Sequence, residues 1–535
     1  MDTDKKRSGN NLLKSSAAVA AATLLSRLLG LVRVRFEAVV LGGGELASGW
    51  FLAFAIPNLL RRILGEGALG NALMPIVAEL DAAEGREGVK RELGTVFSVL
   101  AFLLALIVIV VSVISLVAGE LDFLLQVDLF KTERMHYVLE LLPVLMPYGL
   151  FMCLVGISGS VLNYCREFFF PALGALLLNI FLISGLAAAY FLRVQDVRKV
   201  VSILAYLVLM SGIVQLIMMF FLLKKNDCFP RFEKIIHFLN FQNATVKKLF
   251  TIALPGMIGG IATQVSFLVD RSIAVWLGAQ AVPALTYVDR LTDLPIGIFA
   301  VSLGAVLMSS LSRSAAKGDM TVFSGELEFS IRHVIFFCIP MAAGVMFFFN
   351  PLMSVLCLGG RYTVNDLLAA EKVAFFYGAG IPVFCLLKVL GPAFYSRKMM
   401  MPPFYASLSA IGLNIVLNLI LMRPLQQAGI ALATVVSSVV NCSILLVILQ
   451  REKLLSGVSK MMICLARTCV IVTLSVLSVN WLFPASRSIV SDWWKAFGNL
   501  TVTGILFVLI YVILSAAVFS PELKECLAVV MRRKR

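Results

Sequence analysis

Charged residues are scarce in this sequence. Asp, Glu, Lys and Arg together make up 14% of its 535 residues, whereas apolar residues make up 60%. A soluble chain of this length would need charged surfaces around several separate domains. No stretch outside the apolar runs reaches about 40 residues, too little for a separate globular core. Together with a mean hydropathy of +0.94, this scarcity excludes a soluble fold.

The sequence also lacks the usual patterns of metal, redox and catalytic sites. Its ten cysteines form no C-x-x-C pair and have no metal-ligand spacing with the three histidines. Most of these cysteines lie in apolar runs, where cysteine behaves as a small buried hydrophobe. Because Walker loops and nucleophile–base constellations are absent as well, we expect a transporter rather than an enzyme, with no cofactor and no direct use of ATP.

Apolar runs of 18 or more residues recur from end to end, each long enough to cross about 30 Å of hydrocarbon as a helix. Backbone groups in lipid must be satisfied internally, so the runs must be helical. We therefore predict an all-α polytopic membrane protein with fourteen transmembrane helices. The predicted spans are 15–42, 46–74, 93–118, 137–162, 168–192, 200–223, 247–278, 281–312, 331–356, 371–395, 403–423, 428–449, 463–483 and 497–519.

The net charge of +15 could suggest nucleic acid. Most of the Lys and Arg residues, however, lie in short segments beside apolar spans, as the positive-inside rule expects. Their distribution places both termini in the cytoplasm and argues against a nucleic-acid partner. The first apolar stretch lacks a compact hydrophobic region and a cleavage site, so we expect a retained helix rather than a signal peptide.

Three motifs recur in order, each between about 231 and 236 residues after its first occurrence, which indicates an internal duplication. The offset covers six helices, so the two halves have the same orientation and enclose a transport cavity between them. The repeated segments are 35–42 and 271–278, 69–74 and 303–308, and 164–171 and 395–402. The predicted domains are an N-terminal lobe (1–228), an interfacial linker helix (229–246), a C-terminal lobe (247–450) and a C-terminal helix pair with a basic tail (451–535).

Eight basic side chains lie seven or more residues inside a predicted span. Each arginine at a helix centre costs roughly 2.5–3.5 kcal/mol. We interpret three as structural, with Arg35 near Glu37, Arg62 paired with Glu66, and Arg271 beside Asp270. Four others are too deep to reach the interface easily. Guanidinium groups match phosphate oxygens in pairs, so we predict an anion-binding cavity for a phosphate-bearing cargo. These four are Arg27, Arg33, Arg61 and Arg290.

The second predicted span contains a break, with Pro57 and Asn58 followed by Gly65 and Gly67. One interpretation is a tolerated kink. The other is a gating hinge that lets the half-bundles rock during alternating access.

A group of oxygen-bearing side chains falls in three spans of the second half. One carboxylate, two amide carbonyls, a hydroxyl and a backbone carbonyl favour a hard monovalent cation. We therefore expect a sodium ion or another cation as the coupling ion. The alternatives are a proton site, or helix–helix hydrogen bonding with the aspartate paired to Arg271. The candidate ligands are Asp270, Asn414, Asn418, Ile430 and Thr434.

Four segments, 26–33, 55–68, 287–291 and 388–397, together resemble the MurJ (MviN) family of lipid II flippases in the MOP exporter superfamily. The likeness covers essentially the whole chain. It implies two six-helix lobes in a V and a final helix pair that forms a hydrophobic groove. The implied cargo is the undecaprenyl-pyrophosphate-linked precursor of peptidoglycan, moved from the cytoplasmic to the periplasmic leaflet of the bacterial inner membrane.

The resemblance also assigns residues and partners. It implies substrate binding by the four deep arginines and, beside them, by Ser26, Glu66, Asp289 and Lys388. Many members carry acids where this chain has Val34 and Ser48, and Glu37 is a candidate substitute for the first. The implied partners are lipid II and membrane lipids, and we expect a monomer associated with the cell-wall synthesis machinery.

Three alternatives remain open. A multidrug cation exporter of the same superfamily would need carboxylates in its cavity, whereas this sequence supplies a surplus of bases. A flippase for another lipid-linked oligosaccharide is disfavoured by the four segments. A non-transporting membrane scaffold would have no need of the deep arginines.

Overall fold

The computed structural model describes residues 24–65, 68–125, 133–232, 242–455 and 457–532, with Ala22 and Asn240. These residues form helices joined by short turns, and the only β-bridge among them pairs Gly359 with Tyr362. Large apolar side chains cover much of the outer surface, which suits contact with lipid. The chain is an all-α polytopic membrane protein, as predicted.

Most of the helices follow the predicted spans, while α3 and α10 extend well beyond theirs. In chain order they are α1 (24–41), α2 (Glu45–Leu60), α3 (Ala68–Leu125), α4 (Glu133–Tyr164), α5 (Phe169–Phe191), α6 (Val197–Lys225), α7 (Ala244–Val275), α8 (Ala281–Pro295), α9 (Val301–Lys317), α10 (Met320–Phe347), α11 (Phe349–Leu356), α12 (Val364–Tyr395), α13 (Met401–Leu425), α14 (Gln427–Arg451), α15 (Val458–Leu482), α16 (Trp493–Ala517) and α17 (Pro521–Arg532).

Within the described residues, ten helices are long and apolar enough to cross a membrane, and they correspond to ten of the fourteen predicted spans. The other four are the first, second, seventh and eighth spans. The first begins before the described residues, and many side chains of the seventh lie outside them. The second and eighth are divided by π-helical turns at Arg61–Gly65 and Ile296–Ala300, which leaves shorter α-helical pieces. These four spans also carry all but one of the predicted intramembrane bases.

The chain divides into two compact units, Met1–Leu268 and Val269–Arg535. The division falls inside α7, because the first part of this helix contacts the first unit, where Lys248 pairs with Glu79. The predicted domain boundaries stay predictions. Most of the predicted linker helix, including 233–239, lies outside the described residues. Residues 228–232 are not helical, and the Arg231 N–H donates to the carbonyl of Lys90 at 2.9 Å instead of to a helical partner. The predicted start of the linker helix at residue 229 is therefore wrong.

In the first unit α4 is the central helix, contacting α2, α3 and α6. Its Gly149 allows a close approach of α2, because a Cβ there would lie 3.2 Å from the carbonyl oxygen of Pro57. This contact places the end of α2, and the π turn that follows it, directly against α4.

In the second unit α12 contacts α8, α9, α10 and α14, while α15 and α16 pair with each other. The Tyr511 hydroxyl of α16 donates to the carbonyl oxygen of Phe336 in α10 at 2.7 Å. The last helix, α17, is held by Arg332 and Arg467, which both pair with the buried Glu522. These ion pairs fix the C-terminal segment against α10 and α15.

Local backbone features repeat between the two halves. The π turn at Arg61–Gly65 recurs at Ile296–Ala300, about 235 residues later. Left-handed residues recur at corresponding helix ends, Arg166 with Lys398 after α4 and α12, and Arg193 with Gln426 after α5 and α13. This agreement at the predicted offset supports the internal duplication.

Candidate functional site

The π turn after α2 places two consecutive arginines beside one cavity. A π turn accommodates one residue more than an α turn and therefore changes the direction in which side chains point. Arg61 is partly buried and its Nε donates to Oδ1 of Asn58 at 2.8 Å. The Nη1 of Arg62 lies 3.5 Å from Oε1 of Gln264. Both arginines line the cavity.

This cavity lies within the first unit and has a volume of about 610 Å³. A third arginine, Arg33 of α1, also lines it. Its Nε is 3.6 Å from Oε1 of Glu37, a carboxylate whose side chain is only 1% exposed. Three guanidinium groups against this one carboxylate leave the described part of the cavity positive. Such a wall suits the oxygens of a phosphate group, which guanidinium groups bind through paired hydrogen bonds.

Another part of the cavity wall is polar but uncharged. Asn179 of α5 donates from Nδ2 to the carbonyl oxygen of Ser26 at 3.0 Å. Gln215 of α6 is fully buried, and its side-chain nitrogen and oxygen have no hydrogen-bond partner within the described structure. An unsatisfied buried polar group costs about 1–3 kcal/mol, so this amide is suited to a polar ligand that enters the cavity.

The intramembrane charges have partners that the sequence spacing did not indicate. Glu37 lies one turn from Arg33 on the same face of α1 and pairs with that arginine. Arg62 lines the cavity, and its predicted partner Glu66 lies outside the described residues. Arg271 pairs with Asp289 of α8.

The remaining predicted substrate residues are placed differently. Arg27 is partly buried on α1 and has no hydrogen bond or ion pair within the described residues. Arg290, on α8, is partly buried, and Lys388, on α12, is exposed, and both belong to the second unit. Their roles stay predictions. Glu66 and Gly67 lie outside the described residues.

The predicted hinge coincides with a real break in the helix. Pro57 is buried inside α2, and the break itself is the π turn that begins four residues later and ends at Gly65. The Asn58 side chain holds Arg61 across this break. A π turn is a frequent feature of functional sites, but the gating role of these residues remains a prediction.

The predicted cation ligands come together in the second unit. Nδ2 of Asn418 donates to Oδ1 of Asp270 at 2.6 Å and to Oδ1 of Asn414 at 3.1 Å. The Thr434 hydroxyl lies 3.0 Å from both Oδ2 of Asp270 and the carbonyl oxygen of Ile430. Asp270 therefore accepts hydrogen bonds from neutral groups of α13 and α14, as the helix–helix alternative also predicts, so that alternative and the cation site both stay open.

The donor set of this cluster fits a hard cation. It contains one carboxylate, two amide oxygens, a hydroxyl and a backbone carbonyl. Asn418 is fully buried, and its Oδ1 has no hydrogen-bond partner in the described part of the chain. An oxygen with unused lone pairs beside a buried carboxylate is the arrangement that a sodium ion requires. Hydrogen bonding alone would leave this oxygen unsatisfied.

Sequence reasoning missed the uncharged wall of the cavity. Asn179 and Gln215 are isolated polar residues within apolar helices, and an amide in such a position needs a partner inside the protein. The isolated amides are visible in the sequence. Without the rotation of each helix, however, the sequence does not show whether such an amide binds a ligand or a neighbouring helix. The exposure of Arg62 to the cavity depends on the π turn, which has no sequence signature.

A family profile described as lipid II flippase MurJ matches residues 38–503 of the chain. The chain is 31% identical over 450 residues to a probable lipid II flippase MurJ of Rhizobium tropici, covering 83% of this chain and 81% of that protein. It is 30% identical over 439 residues to the Vibrio cholerae counterpart, covering 81% and 82%.

Solved structures share the fold. One described as lipid II flippase MurJ in an inward closed conformation has a TM-score of 0.73 at 22% identity, over 94% of this chain and 98% of that one. An inward-facing multidrug resistance MATE transporter of the MOP superfamily has a TM-score of 0.64 at 14% identity, over 83% and 98%. At these identities the structural likeness establishes the architecture alone.

Proposed function

Because the chain belongs to the lipid II flippase MurJ family, we propose that it moves lipid II from the cytoplasmic to the periplasmic leaflet by alternating access. The cargo is an undecaprenyl pyrophosphate bearing the disaccharide-pentapeptide of peptidoglycan. The protein is a transporter, and the work of its residues is to bind a charged headgroup inside a membrane.

The observation that carries this proposal is the arginine-lined cavity. Arg33, Arg61 and Arg62 all line one cavity of about 610 Å³. Placing this many bases within the membrane is costly, and a bound anion would offset part of that cost. A pyrophosphate supplies oxygens for several guanidinium forks at once, and the low surrounding dielectric strengthens each contact.

The neutral wall suits the rest of the headgroup. The amide of Gln215 and the side chains near Asn179 offer donors and acceptors without charge. Sugar hydroxyls and peptide amides form hydrogen bonds of this kind. The cavity thus offers charged groups to the pyrophosphate and neutral hydrogen-bonding groups to the sugar and peptide of the same ligand.

An apolar groove on α15 offers a place for the lipid tail. Its lining is mostly aliphatic, with one arginine that pairs with Glu522: Ile463, Ala466, Arg467, Val470, Ile471 and Val518. Aliphatic side chains of this kind pack against an isoprenoid chain without polar cost. We assign the undecaprenyl tail to this groove, in agreement with the resemblance noted in the sequence.

We also propose that sodium binds at Asp270 and couples to the transport cycle. The residues that would hold it are Asp270, Asn414, Asn418, Thr434 and the carbonyl of Ile430. A bound cation would neutralise the buried carboxylate. It changes the balance between conformations only if its affinity differs between them.

The protein is a multi-pass membrane protein, and we place it in the bacterial inner membrane with both termini in the cytoplasm. The basic segments beside the spans support this orientation. We further propose that it works as a monomer near the cell-wall synthesis machinery.

The test is complementation of a bacterial strain depleted of its own lipid II flippase, with the leaflet distribution of lipid II as the readout. Wild-type protein restores growth and moves lipid II outward. Alanine variants of Arg27, Arg33, Arg61 and Arg290 abolish complementation at normal protein levels, and lysine variants restore it only in part, because lysine keeps the charge but loses the fork. The matched control is Arg198→Ala, an exposed arginine paired with Glu140.

Normal growth with all four alanine variants at normal expression would contradict the anion cavity. Complementation without any change in lipid II distribution would point to another lipid-linked oligosaccharide. These two results are separable, since the first concerns the site and the second the cargo.

A further inference from the structure

Two cysteines lie side by side at one end of the first unit. The Sγ atoms of Cys165 and Cys228 are 3.4 Å apart. Cys165 follows the end of α4, and Cys228 follows the end of α6, so the pair joins the ends of two helices that are far apart in sequence. Neither belongs to the cavity or to the cation cluster.

Both cysteines are fixed by the way their helices end. The N–H of Cys165 donates to the carbonyl of Val161 at 3.1 Å, and that of Cys228 to the carbonyl of Leu223 at 2.9 Å. The neighbouring residues Arg166 and Asp227 have φ values of 65° and 55°. The left-handed turns direct both thiols toward the same point.

A third element, α3, contributes a cation to this pair. Nη1 of Arg86 lies 2.7 Å from Sγ of Cys228 and 3.7 Å from Sγ of Cys165. Its Nε is 3.5 Å from Oδ1 of Asp81, and the Tyr164 hydroxyl donates to Oδ2 of the same carboxylate at 2.7 Å. The guanidinium is therefore held in position against the two sulfurs.

We propose that Cys165 and Cys228 form a thiol–disulfide exchange site, in which Cys165 is the attacking thiolate and Cys228 the resolving thiol. Closing the gap from 3.4 Å to a disulfide bond of about 2.05 Å needs only a small side-chain movement. The partner is a low-molecular-weight disulfide of the glutathione class. The site is separate from the flippase cavity and does not depend on the proposed function.

The two cysteines differ in the way that such a division of roles requires. Cys165 is partly exposed, whereas Cys228 is buried, so only the first is open to a reagent in solution. The hydrogen bond from the Cys228 thiol, helped by Arg86, lowers the pKa of Cys165 to about 6. The same hydrogen bond, together with burial, raises the pKa of Cys228. One sulfur is thus a thiolate at neutral pH and the other a thiol.

The exchange balances in two steps. The Cys165 thiolate attacks one sulfur of oxidised glutathione, which forms a mixed disulfide and releases a glutathione thiolate. Cys228 then loses its proton to a released thiolate, and its sulfur attacks Sγ of Cys165, which expels the second glutathione. Two protein thiols are oxidised, one glutathione disulfide is reduced to two thiols, and no other oxidant is needed.

Oxidation would change the contacts at this end of the unit. The disulfide would tie the end of α4 to the end of α6, and Arg86 would lose the negatively charged sulfur that it faces. In the proposed orientation this end of the unit faces the cytoplasm, where disulfides are usually transient, so the site would there follow the glutathione balance rather than stay oxidised.

The test treats purified full-length protein with oxidised glutathione and identifies the products by peptide mass spectrometry. Wild type is expected to give a Cys165–Cys228 disulfide. Cys228→Ser is expected to trap a glutathione adduct on Cys165, and Arg86→Ala to slow the first step several-fold at pH 7. Phenylarsine oxide bridges two neighbouring thiols, so it should protect both cysteines of the wild type from alkylation. This measurement uses the wild type alone and therefore holds even if a variant fails to fold.

The chain provides two internal controls. Cys338 and Cys385 also contact each other, but both are buried and are expected to stay reduced. Cys526 is partly exposed and is expected to form only a mixed disulfide. The proposal is overturned if Cys526 is glutathionylated while Cys165 and Cys228 stay reduced, or if Cys228→Ser gives no adduct on Cys165.

Discussion

Replacing Arg61 with alanine tests the anion cavity most directly. Arg61 lines the cavity and is aligned by the 2.8 Å hydrogen bond from its Nε to Asn58. A net hydrogen bond to a charged group contributes about 1.5–3 kcal/mol. If one guanidinium makes one such contact with the pyrophosphate, its loss weakens binding about 10- to 150-fold.

The assay measures the Kd of lipid II for purified protein in lipid nanodiscs, with inorganic pyrophosphate as a competitor. Arg61→Lys keeps the charge without the fork and is expected to fall between wild type and Arg61→Ala. Asn58→Ala removes the group that aligns the guanidinium but keeps the charge, so a smaller loss is expected. Raising the salt concentration should reduce the difference between wild type and Arg61→Ala.

The reasoning would be refuted by a particular combination of results. If Arg61→Ala and Arg62→Ala both bound lipid II as tightly as wild type, and pyrophosphate did not compete, the cavity would not be the phosphate site. Equal thermal unfolding temperatures for wild type and variants would show that the comparison concerns binding and not folding.

Three further predictions concern other parts of the chain. Asp270→Ala and Asn414→Ala, each alone, should remove any sodium-dependent change in inward–outward accessibility without weakening lipid II binding. Sodium dependence that survives both substitutions would place the coupling ion elsewhere. Single cysteines at 79–92 and 224–248 should react only with permeant reagents, and those at 43–45 and 484–492 with impermeant ones, whereas the opposite labelling would reverse the orientation. Alkylation of Cys165 should be half-maximal near pH 6, because the thiolate forms above that pKa, while burial raises the pKa of Cys526 and moves its alkylation to higher pH. Matching profiles for the two thiols would contradict the assigned Cys165 pKa.

The helices and the cation cluster could be predicted because they depend on regular spacing. Apolar runs of membrane length define helices without further information. Asn414 and Asn418 are one turn apart, so they share a face of α13, and both lie in the hydrogen-bonded network around Asp270. Only the choice of Asp270 as their partner needed an inference beyond one helix.

Charge pairing within the membrane was harder to predict, because it depends on helix rotation. The sequence places Asp270 next to Arg271, yet neighbouring residues on a helix point in different directions. Asp289 is 18 residues away, yet Arg271 bonds to it. The two π turns also change the direction of side chains. The extra residue in each turn rotates the helix before the turn relative to the helix after it.

The paired π turns also say something about the history of the chain. A π turn arises when one residue is inserted into an established α-helix. The two turns fall at matching places in the two halves, at Arg61–Gly65 and Ile296–Ala300, which one insertion before duplication explains with a single event. The simplest order of events is that the insertion came first, in an ancestor with a single six-helix half. Gene duplication then copied it, and the arginine pair belongs to the first copy alone.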